Sequence, residues 1–475
     1  MRRTLRRSCA ACARSKHSCD LGTPSCSRCL KRRVQCVYAN EPLTATAAPA
    51  ATDLARLSPT LAAGSHFASV DPFESYPQTR LPRDHVQRLI HSFLHKIAFQ
   101  YYPLDLSPQT NPFLVSWWPI ALGDPALFHV SLQTACLDEE LLAQRGFHTS
   151  ELLMADSVAL LRRKVEDSSL AVQDGTMNSV ITLATIEFGK GNTAVAAMHV
   201  DGVKRLVNLR GGINAVRQTS PLTARMVSWV SMLIAGQPQF ETQDDAGVGH
   251  GIPPIPEWQR ELPATLLTDA PELSSLDVRN DVGNVFLRLR HVFQATQQVP
   301  FSSTRLHDLA CFVIHRLLLS VPKAEAQPSS PHTESVRYAT VLYMFIIQGP
   351  TYFPHAVIFN QILNRLVGHL EEAQQIPDIH ESLNVWFLSV GMVAAAGTPH
   401  YPWFVERAAV TAKSLLLGSW DDALAHIKNI LWLGTTHVDD LFRPHWEVAL
   451  AAASHPESPD LEGCVLPSVT GSGFI

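Results

Sequence analysis

The sequence has no long apolar run and no secretion signal. These two absences argue against a membrane protein and against a secreted protein. No apolar stretch reaches the roughly 18 residues that a membrane-spanning helix needs, and the best candidate, residues 385–396, is interrupted by Ser389 and Gly391. The first 18 residues are charged and contain no apolar segment of the kind that directs secretion. We therefore expect a soluble protein with no membrane partner.

Signatures of catalysis are also missing. No phosphate-binding loop, nucleophile elbow or dinucleotide glycine fingerprint stands in the strand context that such motifs require. His91 and His95 would share one face of a helix, but Ser92 stands where a zinc protease has glutamate. We interpret these two histidines, His129 and His199 as structural residues. The sequence therefore predicts no catalytic residue and no enzyme.

Cysteine is scarce after residue 40 but concentrated before it, where six of the nine cysteines form two copies of C-x2-C-x6-C. These six are Cys9, Cys12, Cys19, Cys26, Cys29 and Cys36. Zinc takes four tetrahedral ligands, so six sulfurs can hold two ions only if two of the sulfurs bridge both metals. Cys9 and Cys26, the first cysteine of each copy, are the predicted bridging pair. Because so short a segment cannot build a core, two Zn²⁺ ions would supply its folding free energy.

The spacing of the cysteines also predicts two short helices. A C-x2-C pair suits the start of a helix, where the positive end of the helix dipole favours thiolate. Pro24 lies in the spacer between the copies, where a helix break is needed. The alternative, a disulfide framework, needs an oxidising compartment, for which the sequence carries no signal. The remaining Cys136, Cys311 and Cys464 are interpreted as ordinary free thiols.

Charge is distributed very unevenly along the chain. Residues 1–40 hold ten lysines and arginines against one acid, Asp20, which gives +9. The whole chain carries −5, so the other 435 residues carry −14. A small basic segment on a large acidic body is typical of nucleic-acid binding. We therefore expect a nucleic acid as a partner.

The cysteine block resembles the fungal zinc binuclear cluster family, Zn2Cys6, over residues 9–36. All six cysteines, Pro24 and Asp20 stand where that family has them. The resemblance implies a nuclear, sequence-specific regulator of RNA polymerase II genes with double-stranded DNA as its partner. In such a regulator a helix enters the major groove and reads CGG-like triplets.

The same resemblance suggests roles for individual residues. The family places two adjacent basic residues at positions that here are Ser15 and Lys16, so Lys16 is the candidate contact to guanine and Ser15 departs from the pattern. Ser15 and His17 are further candidates for DNA contact. The predicted phosphate contacts are Arg14, Arg28 and Lys31. The basic runs, including residues 31–33, could bind phosphate, direct nuclear import, or do both.

Residues 41–75 are rich in Ala, Thr, Ser and Pro and predict a flexible linker. They have no apolar heptad pattern, so no coiled-coil dimer is expected. The predicted organisation is a DNA-binding domain at 1–40, the linker, an all-α domain at 76–453 and a tail at 454–475. Within the large domain, 3.6-residue periodicity predicts helices at 84–101, 124–143, 151–167, 195–209, 278–296, 304–320, 335–347, 355–373, 383–396, 405–417, 421–433 and 438–452. Trp117, Trp118 and Trp386 are expected in its core.

Residues 111–129, 198–212 and 430–432 resemble the fungal-specific transcription factor domain. That resemblance implies a helical regulatory domain that contacts the transcription machinery or co-regulators and accommodates a small-molecule effector. The run from Ala13 to Lys16 resembles a variant found in regulators of secondary-metabolite gene clusters. The alternatives are a regulator of primary nitrogen or carbon metabolism, and a helical enzyme or scaffold with a zinc head. Activation and repression both stay open.

Overall fold

The structure is a computed structural model. It describes residues 10–15, 18–19, 26–34, 36, 76–101, 107–144, 146–261, 277–296, 301–320, 329–351, 355–373 and 380–454. The chain divides into two compact units, Met1–Ala62 and Ala63–Ile475, which we call the head and the body. The predicted linker at 41–75 and residues 455–475 of the predicted tail, with Cys464, lie outside the described residues.

The head contains the two short helices that the cysteine spacing predicts. They are α1, Ala10–Arg14, and α2, Ser27–Arg32. Helix α2 begins because Cys26, in extended conformation, caps it: its sulfur accepts the N–H of Cys29 at 3.4 Å. The C-x2-C pair therefore stands at the start of a helix, as expected.

The described residues of the body are largely helical, with no strand beyond one isolated bridge between Thr242 and Ile252. Its helices are α3 Arg83–Ser92, α4 Ala98–Tyr101, α5 Trp118–Gly123, α6 Pro125–Ala143, α7 His148–Glu166, α8 Ser168–Ala171, α9 Asp174–Gly189, α10 Thr193–Leu209, α11 Ile213–Thr219, α12 Pro221–Ala235, α13 Asn280–Thr296, α14 Ser303–Leu319, α15 Pro331–Gln348, α16 Ala356–Ala373, α17 Glu381–Ala395, α18 Tyr401–Leu415, α19 Trp420–Ile430 and α20 Thr436–Ser454. Two π-helical turns, Phe93–Ile97 and Phe113–Trp117, precede α4 and α5. The all-α fold class is confirmed, and no described helix is long and apolar enough to cross a membrane.

Two central helices organise the core of the body. Helix α9 packs against α6, α10 and α12, and α15 packs against α14, α16 and α17. Every residue of α15 after Pro331 is buried. The expected core residues are confirmed: Trp117, Trp118 and Trp386 are at most 2% exposed, and the indole N–H of Trp386 donates to the Leu431 carbonyl.

The helix starts are explained by their capping residues, with one correction. Asp124 caps α6 by accepting the N–H groups of Ala126 and Leu127, as predicted for an Asp-Pro start. For the helix predicted at 84–101, Asp84 was the expected cap. The helix instead begins at Arg83 behind Pro82, and Asp84 lies in its first turn, where a carboxylate still favours the helix dipole.

A buried carboxylate joins α11, α12 and α14. Both oxygens of Asp308, which is 4% exposed, accept hydrogen bonds from Arg217 and Arg225 at 2.6–2.9 Å. Burial raises the pKa of Asp308, but the hydrogen bonds and charges of the two arginines outweigh it, so the pKa lies well below the usual range. Both carboxylate oxygens of Asp308 are paired within this network, so we interpret it as structural.

Candidate metal and nucleic-acid site

Three buried cysteines of the head bring their sulfurs together. The sulfurs of Cys12, Cys26 and Cys29 all lie within 4.8 Å of one another, and each residue is at most 2% exposed. Cys12 comes from the first cysteine copy and the other two come from the second, so the cluster joins both halves of the repeat. Cys19 and Cys36 are half-buried and pack against it. Among the described residues this is the one group suited to holding a metal.

Cys26 lies at the centre of this arrangement. Its sulfur is 3.7 Å from that of Cys12 and accepts the N–H of Cys29, while its own N–H points to the Cys36 sulfur at 3.4 Å. The backbone hydrogen bond from Cys29 lowers the pKa of the Cys26 thiol, which favours the thiolate that a metal requires. A central sulfur with neighbours in both halves suits the bridging role predicted for Cys26. Its predicted partner, Cys9, lies outside the described residues.

The donor set fits zinc. Two sulfurs on one tetrahedral ion, each about 2.3 Å from the metal, lie about 3.8 Å apart, close to the 3.7 Å between Cys12 and Cys26. A disulfide needs about 2.05 Å, and the described cysteines are all free thiols. Zinc, when bound, crosslinks segments that have almost no apolar core of their own.

Five cations of the head belong to the segments that carry the clustered cysteines. Arg14, Lys31, Arg32 and Arg33 are exposed and Arg28 is half-buried. Asp20, the one acidic residue in residues 1–40, lies outside the described residues. Lys16 and His17, two of the predicted DNA contacts, lie outside the described residues. The structure thus places part of the predicted contact set at the surface, as a solvent-facing source of positive potential.

The hydroxyl of Ser15 bonds to carbonyls of the preceding helix, α1. Its hydroxyl oxygen lies 2.9 Å from the Ala11 carbonyl and 3.3 Å from the Cys12 carbonyl. A serine has a single hydroxyl proton, so this proton is engaged inside α1. Ser15 is nevertheless exposed at the end of α1, so the departure from the family pattern places at the surface a hydroxyl that is bonded to helix carbonyls.

Arg33 is the feature of the head that the sequence did not reveal. It ends α2 with a left-handed backbone at φ 50°, and its N–H bonds to the carbonyls of Cys29 and Leu30. A left-handed conformation costs a non-glycine residue roughly 1–2 kcal/mol, and glycine would cap the helix equally well. The signal that could have identified it is the repeat, because Arg33 stands 17 residues after Lys16, as Cys26 stands 17 residues after Cys9.

In the body, the residues that could have suggested catalysis have structural surroundings. His91 and His95 are exposed, with ring centroids 4.3 Å apart. His129 is buried and its Nδ1 contacts the Pro125 carbonyl at 2.7 Å. Burial raises the pKa of the Cys136 and Cys311 thiols to about 12, so both are inert thiols, as the sequence predicted.

Comparison with known proteins agrees with this division. Residues 7–45 match the family model of the fungal Zn(2)-Cys(6) binuclear cluster domain. Residues 88–235 match the family model of the fungal specific transcription factor domain. No curated protein and no solved structure matches the chain. Both matched families are those of transcription factors rather than enzymes, and a Zn(2)-Cys(6) cluster binds two zinc ions.

Proposed function

We propose that this chain, a DNA-binding transcription regulator that joins a zinc binuclear cluster domain to a fungal transcription factor domain, reads CGG-like triplets in the nucleus. The observation that carries the proposal is a buried three-cysteine cluster on segments that also carry exposed cations. In this proposal residues 1–40 contact DNA and residues 76–453 form the regulatory domain. Residues 41–75 are the linker between these two domains.

The proposed DNA contacts are assigned by the charge and the hydrogen-bonding groups of each side chain. Lys16 would donate to guanine O6 and N7 in the major groove, with His17 beside it. Arg14, Arg28 and Lys31 would neutralise phosphates and release counterions. Ser15, whose hydroxyl proton is engaged within α1, would contact DNA through its oxygen as a hydrogen-bond acceptor.

Zinc would be held by the six cysteines from Cys9 to Cys36, with Cys9 and Cys26 shared by both ions. It supplies folding free energy rather than reaction chemistry. The protein's own part is to carry the cations on a frame that is too small to fold by apolar burial.

Lys16→Ala tests the base contact. We expect the full-length variant to lose about 1–3 kcal/mol of binding free energy on a duplex with the triplet, and far less on a scrambled duplex, because only a base contact distinguishes them. Fluorescence anisotropy at several salt concentrations measures both affinities. Lys31→Ala is the matched control, and it should weaken both duplexes equally and reduce the salt slope by about 1. If Lys16→Ala also weakened binding to both duplexes equally, Lys16 would be a phosphate contact.

We further propose that the regulated genes form a secondary-metabolite biosynthetic cluster, because of the run from Ala13 to Lys16. The alternative is control of primary nitrogen or carbon metabolism. Mapping where the protein sits on its own genome separates the two. Occupancy at clustered biosynthetic promoters supports the first, and occupancy at dispersed metabolic promoters contradicts it.

For the body we propose contact with co-regulators or the transcription machinery, and binding of a small-molecule effector. An open cleft of about 540 Å³ is the place that suits an effector, because its size is that of a ligand pocket. Residues 111–129 and 198–212, which carry the resemblance to a transcription factor domain, meet there through Asp124 and Arg210. A screening hit that still bound after Ile120→Glu, at the rim of the cleft, would contradict this location.

A further inference from the structure

The head is an internal repeat with a shift of 17 residues, and the two copies differ in the residues they present. The first copy carries Arg14, Ser15 and Lys16 after its second cysteine, whereas the second copy carries Lys31, Arg32 and Arg33. The adjacent basic pair that is broken by Ser15 in the first copy is therefore complete in the second.

The structure shows that these two copies treat the pair differently. In the first copy the Ser15 hydroxyl is bonded to helix carbonyls at 2.9 and 3.3 Å. In the second copy Arg32 and Arg33 are both exposed. The more complete cationic end thus belongs to α2.

Two further features mark the end of α2 as more than a helix terminus. Arg33 occupies a left-handed position at φ 50°, where the cap needs only a backbone N–H and glycine would be less strained. Such a strained residue points to a use for its side chain. Leu30 and Val34, which flank the cations, are 64% and 47% exposed, and exposed apolar side chains suit a thymine methyl group rather than a phosphate.

We infer that the second copy carries a base-reading edge, in which Arg32 and Arg33 bind guanine in the major groove. The inference rests on the proposed DNA-binding function and adds a second reading element to it. A guanidinium donates two parallel hydrogen bonds to guanine O6 and N7 from a rigid planar fork, whereas the ammonium of a lysine reaches the same two atoms as a flexible point donor.

The test uses Arg33→Lys and Arg32→Lys in the full-length chain, because lysine keeps the positive charge but lacks the two parallel N–H donors of the guanidinium. The probes are a duplex selected from a random pool by the wild-type chain and a scrambled duplex. We expect each variant to lose about 5- to 150-fold in affinity for the selected duplex, with nearly unchanged affinity for the scrambled one. Arg28→Lys is the matched control within α2 and should affect both duplexes equally.

Arg33→Gly separates base reading from folding. Glycine relieves the left-handed strain, so we expect two zinc ions per chain to be retained while selectivity for the chosen duplex falls. Guanine N7 methylation interference then identifies the bases: Arg33→Lys should relieve interference at guanines different from those affected by Lys16→Ala.

The outcomes distinguish this inference from the proposed function. Variants at Arg32 and Arg33 that keep the wild-type selectivity and methylation pattern would overturn the inference and leave DNA binding through Lys16 intact. An equal loss on both duplexes would also overturn it, because that result describes phosphate contacts. A wild-type chain that selects no sequence would overturn the proposed function itself.

Discussion

At the scale of single residues, backbone strain is concentrated where three non-glycine side chains adopt positive φ among the described residues: Arg33, Gln144 and Leu416. Arg33 offers an explanation, because its side chain is a cation in a DNA-binding head. Leu416 does not. It caps α18 at φ 56° with 88% of its surface exposed, and nothing in the structure explains a leucine there.

Leu416→Gly should stabilise the body by roughly 0.5–1 kcal/mol, since relief of left-handed strain exceeds the extra backbone entropy of the unfolded chain. Urea unfolding followed by circular dichroism measures the change. Val410→Gly is the control, because Val410 is also exposed but lies inside α18. It should destabilise the body by about 1 kcal/mol. A loss of stability in Leu416→Gly would mean that the side chain has a role that the structure does not display.

Buried histidines should make the body sensitive to acid. Burial lowers the pKa of His307, His315 and His445 to about 4, below the usual 6.5. The unfolded chain therefore binds more protons than the folded one below pH 6.5, and the free energy of unfolding falls as the pH drops from about 6.5 to about 4.

His315→Gln removes one of these groups. We expect its free energy of unfolding to fall by about 3 kcal/mol less than that of the wild type between pH 6.5 and pH 4. Urea midpoints at a series of pH values give the comparison, with the pH 7 values showing whether the variant still folds. Parallel pH profiles for the two proteins would show that His315 does not carry this dependence.

At the scale of secondary-structure elements, the sequence predicted amphipathic helices well and fully buried helices poorly. Helices α6, α7, α10 and α13–α20 follow predicted periodic segments within a few residues. Helices α9 and α12 were missed because they are buried on nearly all sides and carry no polar face. In α9, Ser179 and Thr182 are buried and bond to carbonyls four residues earlier, which hides the apolar pattern.

Close packing between two helices depends on a glycine. A Cβ atom on Gly391 of α17 would lie 2.0 Å from the buried ring of Phe404 in α18. Gly391→Ala should therefore destabilise the body by about 1–3 kcal/mol, because neither neighbour can move freely in a packed core.

Gly368→Ala is the matched change in α16, where a Cβ atom would meet nothing within 4 Å. It should stabilise the body by about 0.5–1 kcal/mol through helix propensity. Thermal unfolding of both variants measures the contrast. Equal effects of the two substitutions would show that the approach of α17 and α18 is not limited by Gly391.

At the scale of the whole molecule, the chain divides its tasks between a basic head stabilised by metal and an acidic body stabilised by apolar burial. The metal-binding class and the all-α body could be predicted from the sequence, because cysteine spacing and helical periodicity are local patterns. The engaged hydroxyl of Ser15 and the strained cap at Arg33 could not, since both depend on how α1 and α2 end in three dimensions.

DNA binding by the head depends on two zinc ions that are bound through its clustered sulfurs. Elemental analysis of the full-length protein, paired with DNA binding, measures this. We predict two zinc ions per chain, a loss of both zinc and duplex binding in Cys26→Ser, and no change in Cys464→Ser, which removes a thiol outside the head. A wild-type chain without zinc, or a Cys26→Ser variant that keeps both ions and its affinity for DNA, would contradict zinc-dependent DNA binding by the head.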